Sequence, residues 1–209
     1  MSRLVACLVL LGACNVLNAE PGNGKAGRQT RAVVPFHEVE LSGALVGDIT
    51  IGPTQSVEIT GDENLLPLVE TEVRDGALKV HTTKNVRPKL ELAVHVVVPA
   101  IDAVSLSGSC TAKVQSQSDK LALSLSGSGA IEASGKVGAL SIEGSGSTKV
   151  AAAALAADRV TISISGSGEA EVAAASTLDV DISGSGTVLY HGHPKVTKSI
   201  SGSGSVEAR

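Results

Sequence analysis

From Val104 onward the chain alternates aliphatic and polar residues, and glycine interrupts the alternation at near-regular intervals. The interruptions read Leu106-Ser-Gly-Ser-Cys, Leu125-Ser-Gly-Ser-Gly, Ile142-Glu-Gly-Ser-Gly, Ile164-Ser-Gly-Ser-Gly, Ile182-Ser-Gly-Ser-Gly and Ile200-Ser-Gly-Ser-Gly. Counted between first glycines (Gly108, Gly127, Gly144, Gly166, Gly184 and Gly202), the steps are 19, 17, 22, 18 and 18 residues. Two residues before that glycine every copy has a large aliphatic. Four before it stand Val104, Leu123, Leu140, Ile162 and Val180, with Lys198 the exception. Four after it come Ala112, Ile131, Thr148, Ala170, Val188 and Val206, and six after it Val114, Ala133, Val150, Val172, Tyr190 and Ala208. A period of two on both sides of a glycine turn predicts two short strands per unit, each with one inward face.

One such unit cannot bury its apolar face alone, whereas stacked units about 4.8 Å apart can. The pattern therefore predicts an all-β chain, a right-handed parallel β-helix whose glycines mark a corner. Three residues before the glycine lie Ser105, Ser124, Ser141, Ser163, Asp181 and Ser199. One before it lie Ser107, Ser126, Glu143, Ser165, Ser183 and Ser201. These predict two outward columns dominated by hydroxyls. Five after it, Lys113, Glu132, Lys149 and Glu171 alternate in sign, as a ladder of stacked opposite charges would.

Before the repeats, Val33 to Pro99 is strand-like but less regular. Val39 and Leu41, Ile49 and Ile51, Val57 and Ile59 keep period two, and Asn64 to Leu68 reads as a turn or one helical turn. Asp75-Gly76 between two strand-like runs is a hairpin signal, and Leu90 to Val98 reads as a long strand. Leu41-Ser42-Gly43 is a degenerate copy of the repeat, so the stack is expected to begin there. The regions are thus 33–100, irregular, and 101–209, six regular repeats.

The first 13 residues read as a signal peptide, with Arg3 before the apolar run Leu4 to Leu11. Leu11-Gly12-Ala13-Cys14 resembles the bacterial lipobox, which makes Cys14 the lipidation site. The alternative cut, after Ala19, places Leu17 where a small residue is wanted. Asn15 after the cysteine, by the lipobox rule, points away from inner-membrane retention. Residues 14–32, polar and glycine-rich, read as a flexible tether. The expected location is the cell envelope, with the membrane reached through the lipid anchor; without the anchor the chain would be secreted.

Composition narrows the partners. The net charge is −4, and it becomes −5 once residues 1–13 with Arg3 are removed. Phe36 and Tyr190 are the only aromatics, and there is no basic run to track a phosphate backbone, so no nucleic-acid partner is expected. Of Cys7, Cys14 and Cys110, two lie in the targeting region, so there is no disulfide framework. Cys110 reads as a buried inert thiol or, alternatively, as half of an intermolecular disulfide.

Three stretches together carry a resemblance: FHEVELSGALVGDITIG with SVEITGDENLLPLVETEVRDGALKV, then VVVPAIDAVSLSGS, then the tandem Ser-Gly-Ser-Gly units. In these, Val33 to Arg209 resembles the head GIN domain of putative auto-transporter adhesins. The resemblance implies secreted or lipid-anchored bacterial proteins with a β-helix fold, and it supplies no catalytic residues. Cys110, where other copies have glycine, and Glu143, in place of serine, depart from the repeat.

The glycines lack the Gly-Lys-Ser/Thr end of a phosphate loop, and the turns lack the aspartates of calcium-binding rolls. His191 and His193 fall one short of a minimal zinc site and read as a loop, so no metal or cofactor is expected. The expected function is a non-enzymatic, lipid-anchored binding or adhesion module. Its candidate face is Ser105, Ser107, Ser124, Ser126, Ser141, Ser163, Ser165, Ser183, Ser199 and Ser201, turned toward a glycan or another envelope protein. The second reading is an envelope polysaccharide-processing enzyme. It would use Asp179 and Asp181 against a base from the Asn64 to Asn85 excursion, with Glu143 and Glu169 near other turns. An uncapped last coil adds the expectation of a homo-oligomer through the stack end.

Overall fold

The computed structural model describes residues 19–209; the signal peptide and Cys14 lie outside the described residues. The chain forms a β-solenoid of about six turns, an all-β stack of parallel coils. Its strands are β1 (Glu20–Pro21), β2 (Ala26–Arg31), β3 (Glu38–Gly43), β4 (Val46–Ile51), β5 (Ser56–Asp62), β6 (Val69–Arg74), β7 (Ala77–Thr82), β8 (Val86–Arg87) and β9 (Ala93–Val98). There follow β10 (Ala103–Gly108), β11 (Thr111–Gly127), β12 (Ala130–Gly146), β13 (Lys149–Gly166), β14 (Glu169–Gly184), β15 (Thr187–His191), β16 (Lys195–Gly202) and β17 (Ser205–Ala208). The four long strands β11 to β14 each bend around the coil.

Before the glycine corner, Val39, Val104, Leu123, Ile142, Ile162, Val180 and Lys198 stand above one another in parallel register. After it, Gly47, Ala112, Ile131, Val150, Ala170, Val188 and Val206 do the same. Apart from Lys198 at the last rung, the side chains of both columns point inward. Nearly all are fully buried, so the core is a set of aliphatic layers rather than an aromatic cluster.

The corner explains the glycine. Gly43, Gly108, Gly127, Gly146, Gly166, Gly184 and Gly202 all have positive φ, from 87° to 126°. A Cβ on Gly127 would stand 2.6 Å from the Gly108 carbonyl oxygen of the coil below. That oxygen is the acceptor for the N–H of Ser128, at 2.8 Å. The same amide-to-carbonyl bond recurs at Ser109, Ser147, Ser167, Ser185 and Ser203, at 2.7–2.9 Å.

This register corrects the third repeat. Its corner is Gly146, not Gly144, so the steps are 19, 19, 20, 18 and 18. Gly144 occupies the inward position that Leu125 and Ile164 fill in neighbouring coils. The gap is closed from across the corner by Thr148, which stands where the adjoining coils have Gly129 and Gly168 and is itself buried. A Cβ on Gly144 would lie 2.7 Å from Thr148 Oγ1. One coil has exchanged large-then-small for small-then-large. Cys110 occupies the same post-corner position in its coil, fully buried, with Sγ 3.5 Å from the Ser107 carbonyl. It is a free thiol, pushed up in pKa by burial. Burial fits the inert-thiol reading rather than the intermolecular disulfide.

Leu41-Ser42-Gly43 does begin the stack, in register with Leu106 to Gly108. Below it the chain is capped by reversals of strand direction. β7 lies parallel to β3, and β6 returns antiparallel across Asp75-Gly76, whose φ values of 54° and 81° suit the tight hairpin turn. On the other sheet β9 is parallel to β4, β5 antiparallel to β9, and β2 antiparallel to β5. The expected long strand at Leu90 is shorter, starting at Ala93. The turn expected near Asn64 is a single 3-10 turn, Leu66–Leu68.

The expected flexible tether is also corrected. β2 is an ordered outer strand, and β1 pairs with β8. Composition alone misses this, because polar and glycine residues suit an edge whose outer face meets water. The segment is fastened by Asp62, whose fully buried carboxylate accepts from the backbone amides of Gly24 (2.6 Å), Lys89 (2.8 Å) and Leu90 (2.9 Å). Asn64 adds bonds to Asn23 N and Pro21 O. Arg31 donates to the carbonyls of Leu66 and Val69 around the 3-10 turn.

Two predictions follow from these geometries. Thr148→Gly leaves a cavity and is expected to destabilise by about 1–3 kcal/mol, Gly144→Ile overpacks by a similar amount, and the double variant recovers most of the loss. Chemical denaturation of the four proteins checks this, and strictly additive losses would refute the exchange. The second concerns Asp62. The Leu90 amide foremost, then those of Gly24 and Lys89, hold its carboxyl below the usual range. The stabilisation is therefore present above the unfolded-state pKa and lost as pH falls through the folded one. Asp62→Asn should lower the thermal midpoint at pH 7 and flatten its fall as pH drops below about 5. A variant whose acid limb matches the parent would remove Asp62 from this role.

Candidate functional site

The outward side chains before the glycine corner form two continuous columns. The one adjoining the corner is Ser42, Ser107, Ser126, Ser145, Ser165, Ser183 and Ser201, unbroken over seven rungs. The next is Glu40, Ser105, Ser124, Glu143, Ser163, Asp181 and Ser199. Parallel in-register stacking repeats each hydroxyl at the strand spacing of about 4.8 Å.

Over the first coils the columns line a shallow groove of about 450 Å³. Six of the predicted face residues meet there: Ser105, Ser107, Ser124, Ser126, Ser163 and Ser165. Ser183, Ser199 and Ser201 continue the columns beyond it and are exposed. Ser141 does not belong to either column. It stacks between Ala122 and Thr161, one position further from the corner, because the third repeat is set two residues later than its first glycine suggests. Sequence reasoning missed Glu40, Ser42 and Ser145 and put Glu143 in the wrong column. Equalising the repeat lengths would have found Ser145 and moved Glu143.

In chemical terms the groove offers hydroxyls that donate and accept, with acceptor-only carboxylates at Glu40 and Glu143. Ser42 Oγ and Ser107 Oγ hydrogen-bond one another at 2.8 Å, and Glu40 pairs with Lys79 at 3.0 Å.

On the sheet after the corner, Lys113 pairs with Glu132 at 3.9 Å as the ladder reading expects. Lys149 instead stacks on Ala130 and pairs with Glu169 at 3.6 Å, again through the shifted third coil. Lys113 also stacks on Asp48, which stacks on His95 with Nδ1 3.5 Å from its carboxylate, and on the outer strand Arg28 pairs with Glu58 at 3.3 Å. Exposed pairs of this kind contribute about 0.2–1 kcal/mol each, so they favour register more than stability. Beside them lies a second groove of about 610 Å³, overhung by Ala153 and Ala154 where β13 bulges.

His191 and His193 belong to no cluster of three or more possible metal ligands among the described residues, and His191 meets a carboxylate instead. Its Nε2 lies 2.9 Å from Glu171 Oε1, which also accepts from Arg209 at 2.8 Å, and these two partners hold the Glu171 carboxyl below its usual range. Asp179 and Asp181 are exposed on successive outward positions of β14. The Asn64 to Asn85 excursion packs at the opposite end, on β3. From β7 to β14 is six strand spacings, about 29 Å, so the cleft required by the polysaccharide-processing reading does not form.

A stack of parallel coils with a hydroxyl-lined flank and a capped N-terminal end defines a β-solenoid scaffold of the binding type. Known proteins place it further. The chain belongs to the family described as "Putative auto-transporter adhesin, head GIN domain", whose model matches residues 35–194. Among solved structures, one titled a putative adhesin from Bacteroides fragilis is 19% identical with a TM-score of 0.75, covering 90% of this chain and 99% of that one. A "putative lipid binding protein" from Parabacteroides distasonis is 24% identical with a TM-score of 0.54, over 90% and 98%. A putative adhesin from Parabacteroides merdae is 22% identical with a TM-score of 0.55, again over 90% and 98%. At these identities the likeness is one of fold. No protein of curated function matches the chain. Membership of this family makes the chain a non-enzymatic, adhesin-type binding module of the cell surface or envelope.

Proposed function

We propose that this chain is a lipid-anchored envelope adhesin module that binds a polyhydroxylated ligand, a glycan, along the serine groove before the glycine corner. The observation that carries the reading is the in-register groove itself, with Ser105, Ser124 and Ser163 interleaved by Glu143 in one column and serine at every rung of the other. A repeating row of hydroxyls and carboxylates suits a ligand that itself repeats hydroxyl donors and acceptors. With no tryptophan in the chain and its one tyrosine on β15, recognition rests on hydrogen bonds rather than on stacking against a ring. A lipid on Cys14, in the lipobox-like Leu11-Gly12-Ala13-Cys14, would hold the module at a membrane.

The shifted third coil supplies an internal control. Ser124→Glu and Ser163→Glu place charge and bulk in the groove, whereas Ser141→Glu lies outside it. On an array of bacterial envelope glycans, the parent and Ser141→Glu are expected to bind alike, and either groove variant to lose at least about tenfold in affinity. Binding that ignores all three changes, or no binding to any glycan, would sink the serine-groove reading.

A further inference from the structure

The N-terminal cap brings together basic residues that the sequence keeps apart. Lys25 lies between β1 and β2, while Lys84, Arg87 and Lys89 lie on and beside β8. β1 and β8 are paired, with Pro21 opposite Arg87, and the Gly22 amide donates to the Arg87 carbonyl at 3.0 Å. Gly24 and Lys89 are held on the same Asp62 carboxylate, and a Cβ on Gly24 would stand 3.6 Å from Lys89 Cδ. All four cations are exposed, and none forms an ion pair among the described residues.

The nearby acids offset them only in part: Glu20, Glu63 and Glu91 are exposed, while Asp62 is turned inward onto three amides. Arg28 is taken up by Glu58, and Arg31 by the Leu66 and Val69 carbonyls. The two segments that build the cap, 19–37 and 52–92, carry eight bases and eight acids, whereas the rest of the described chain carries eight bases against thirteen acids, so the cap is the less negative end of the molecule.

The cap is also where the chain leads back to Cys14. Five residues separate Cys14 from Glu20, and Glu20 is already bonded through its amide to the Asn85 carbonyl at 2.8 Å. Even fully extended, those residues reach only about 20 Å. We infer that the basic cap of Lys25, Lys84, Arg87 and Lys89 is a docking surface for an anionic phospholipid bilayer, seating the capped end of the solenoid on the membrane. The inference rests on the lipid anchor proposed at Cys14. One acyl signal gives marginal attachment, and a basic surface beside it supplies the second. The ten strands from β2 to β17 then carry the far end about 43 Å outward, with the serine groove on the flank of the column.

The test uses the mature chain with Cys14→Ser, so that no acyl chain contributes. Sedimentation with phosphatidylcholine vesicles and with vesicles containing a quarter phosphatidylglycerol is compared at 20 and 300 mM NaCl. Binding is expected only to the anionic vesicles, lost at the higher salt, unaffected by millimolar inorganic phosphate, and at least tenfold weaker after Lys25, Lys84, Arg87 and Lys89 are all changed to Gln. Lys195→Gln with Lys198→Gln, at the far end, should bind as the parent does, and matching thermal midpoints show that every variant is folded. Equal binding to neutral vesicles, no binding at low salt, or a quadruple variant that binds normally would overturn the proposal. So would duplex DNA that binds the patch more tightly than the vesicles and displaces them. The mass of the native N-terminus reports the lipid on Cys14 separately, so loss of the anchor reading and loss of the docking surface are distinct results.

Discussion

Everything in this solenoid hangs on one short hydrogen bond repeated up the corner. The carbonyl of each corner glycine accepts the amide of the serine one coil above, and the space a Cβ would take is the space that bond occupies. Positive φ and close approach therefore act together, and no other residue meets both conditions without displacing the neighbouring backbone. Because the bond links successive coils, it sets their vertical spacing and forces residues on either side into strict register. The aliphatic layers and the serine columns are consequences of that register rather than separate designs.

Register propagates, and so do its exceptions. When the third coil places glycine where an aliphatic belongs, it must fill the layer from elsewhere, and Thr148 does so from across the corner. The backbone bond at Gly146 is kept while the side-chain volume moves. Cys110 makes a milder version of the same adjustment, filling a post-corner site that later coils leave to Gly129, Gly168 and Gly186. Layered cores tolerate such exchanges because each layer needs a volume, not a particular residue.

The regular half of the fold was legible because its period is written in residue types with distinct stereochemistry: glycine at positive φ, aliphatics at alternate positions, serine between them. Two things were not. The offset of the third repeat hid behind a second glycine two residues away, and local motif matching chose Gly144 where equal coil lengths would have chosen Gly146. The cap was illegible for a different reason. β2 and β1 carry no periodic apolar signal, since an outer strand turns one face to water, and what orders them is a carboxylate at Asp62 meeting amides some 27 and 38 residues away in sequence. Long-range polar contacts leave no pattern in a linear chain. The same blindness scattered the basic residues of the cap.

A stack that grows by one repeated bond has two unlike ends and uniform flanks, and function divides accordingly. The flanks can only display what each rung repeats, so recognition there suits a ligand that is itself periodic. Among the described residues the N-terminal end is the one place where the chain abandons parallel pairing, through β5, β2 and β6, and there residues from distant segments are gathered into a patch that no rung repeats. Charge follows this division. On the sheet after the corner Arg28–Glu58, Lys113–Glu132 and Lys149–Glu169 pair opposite signs, while at the cap Lys25, Lys84, Arg87 and Lys89 form no ion pair among the described residues. A cluster of unpaired cations survives only where the repeat does not impose its own neutralising partner. In this molecule that condition is met where strand direction reverses, at the end from which the chain leads to Cys14.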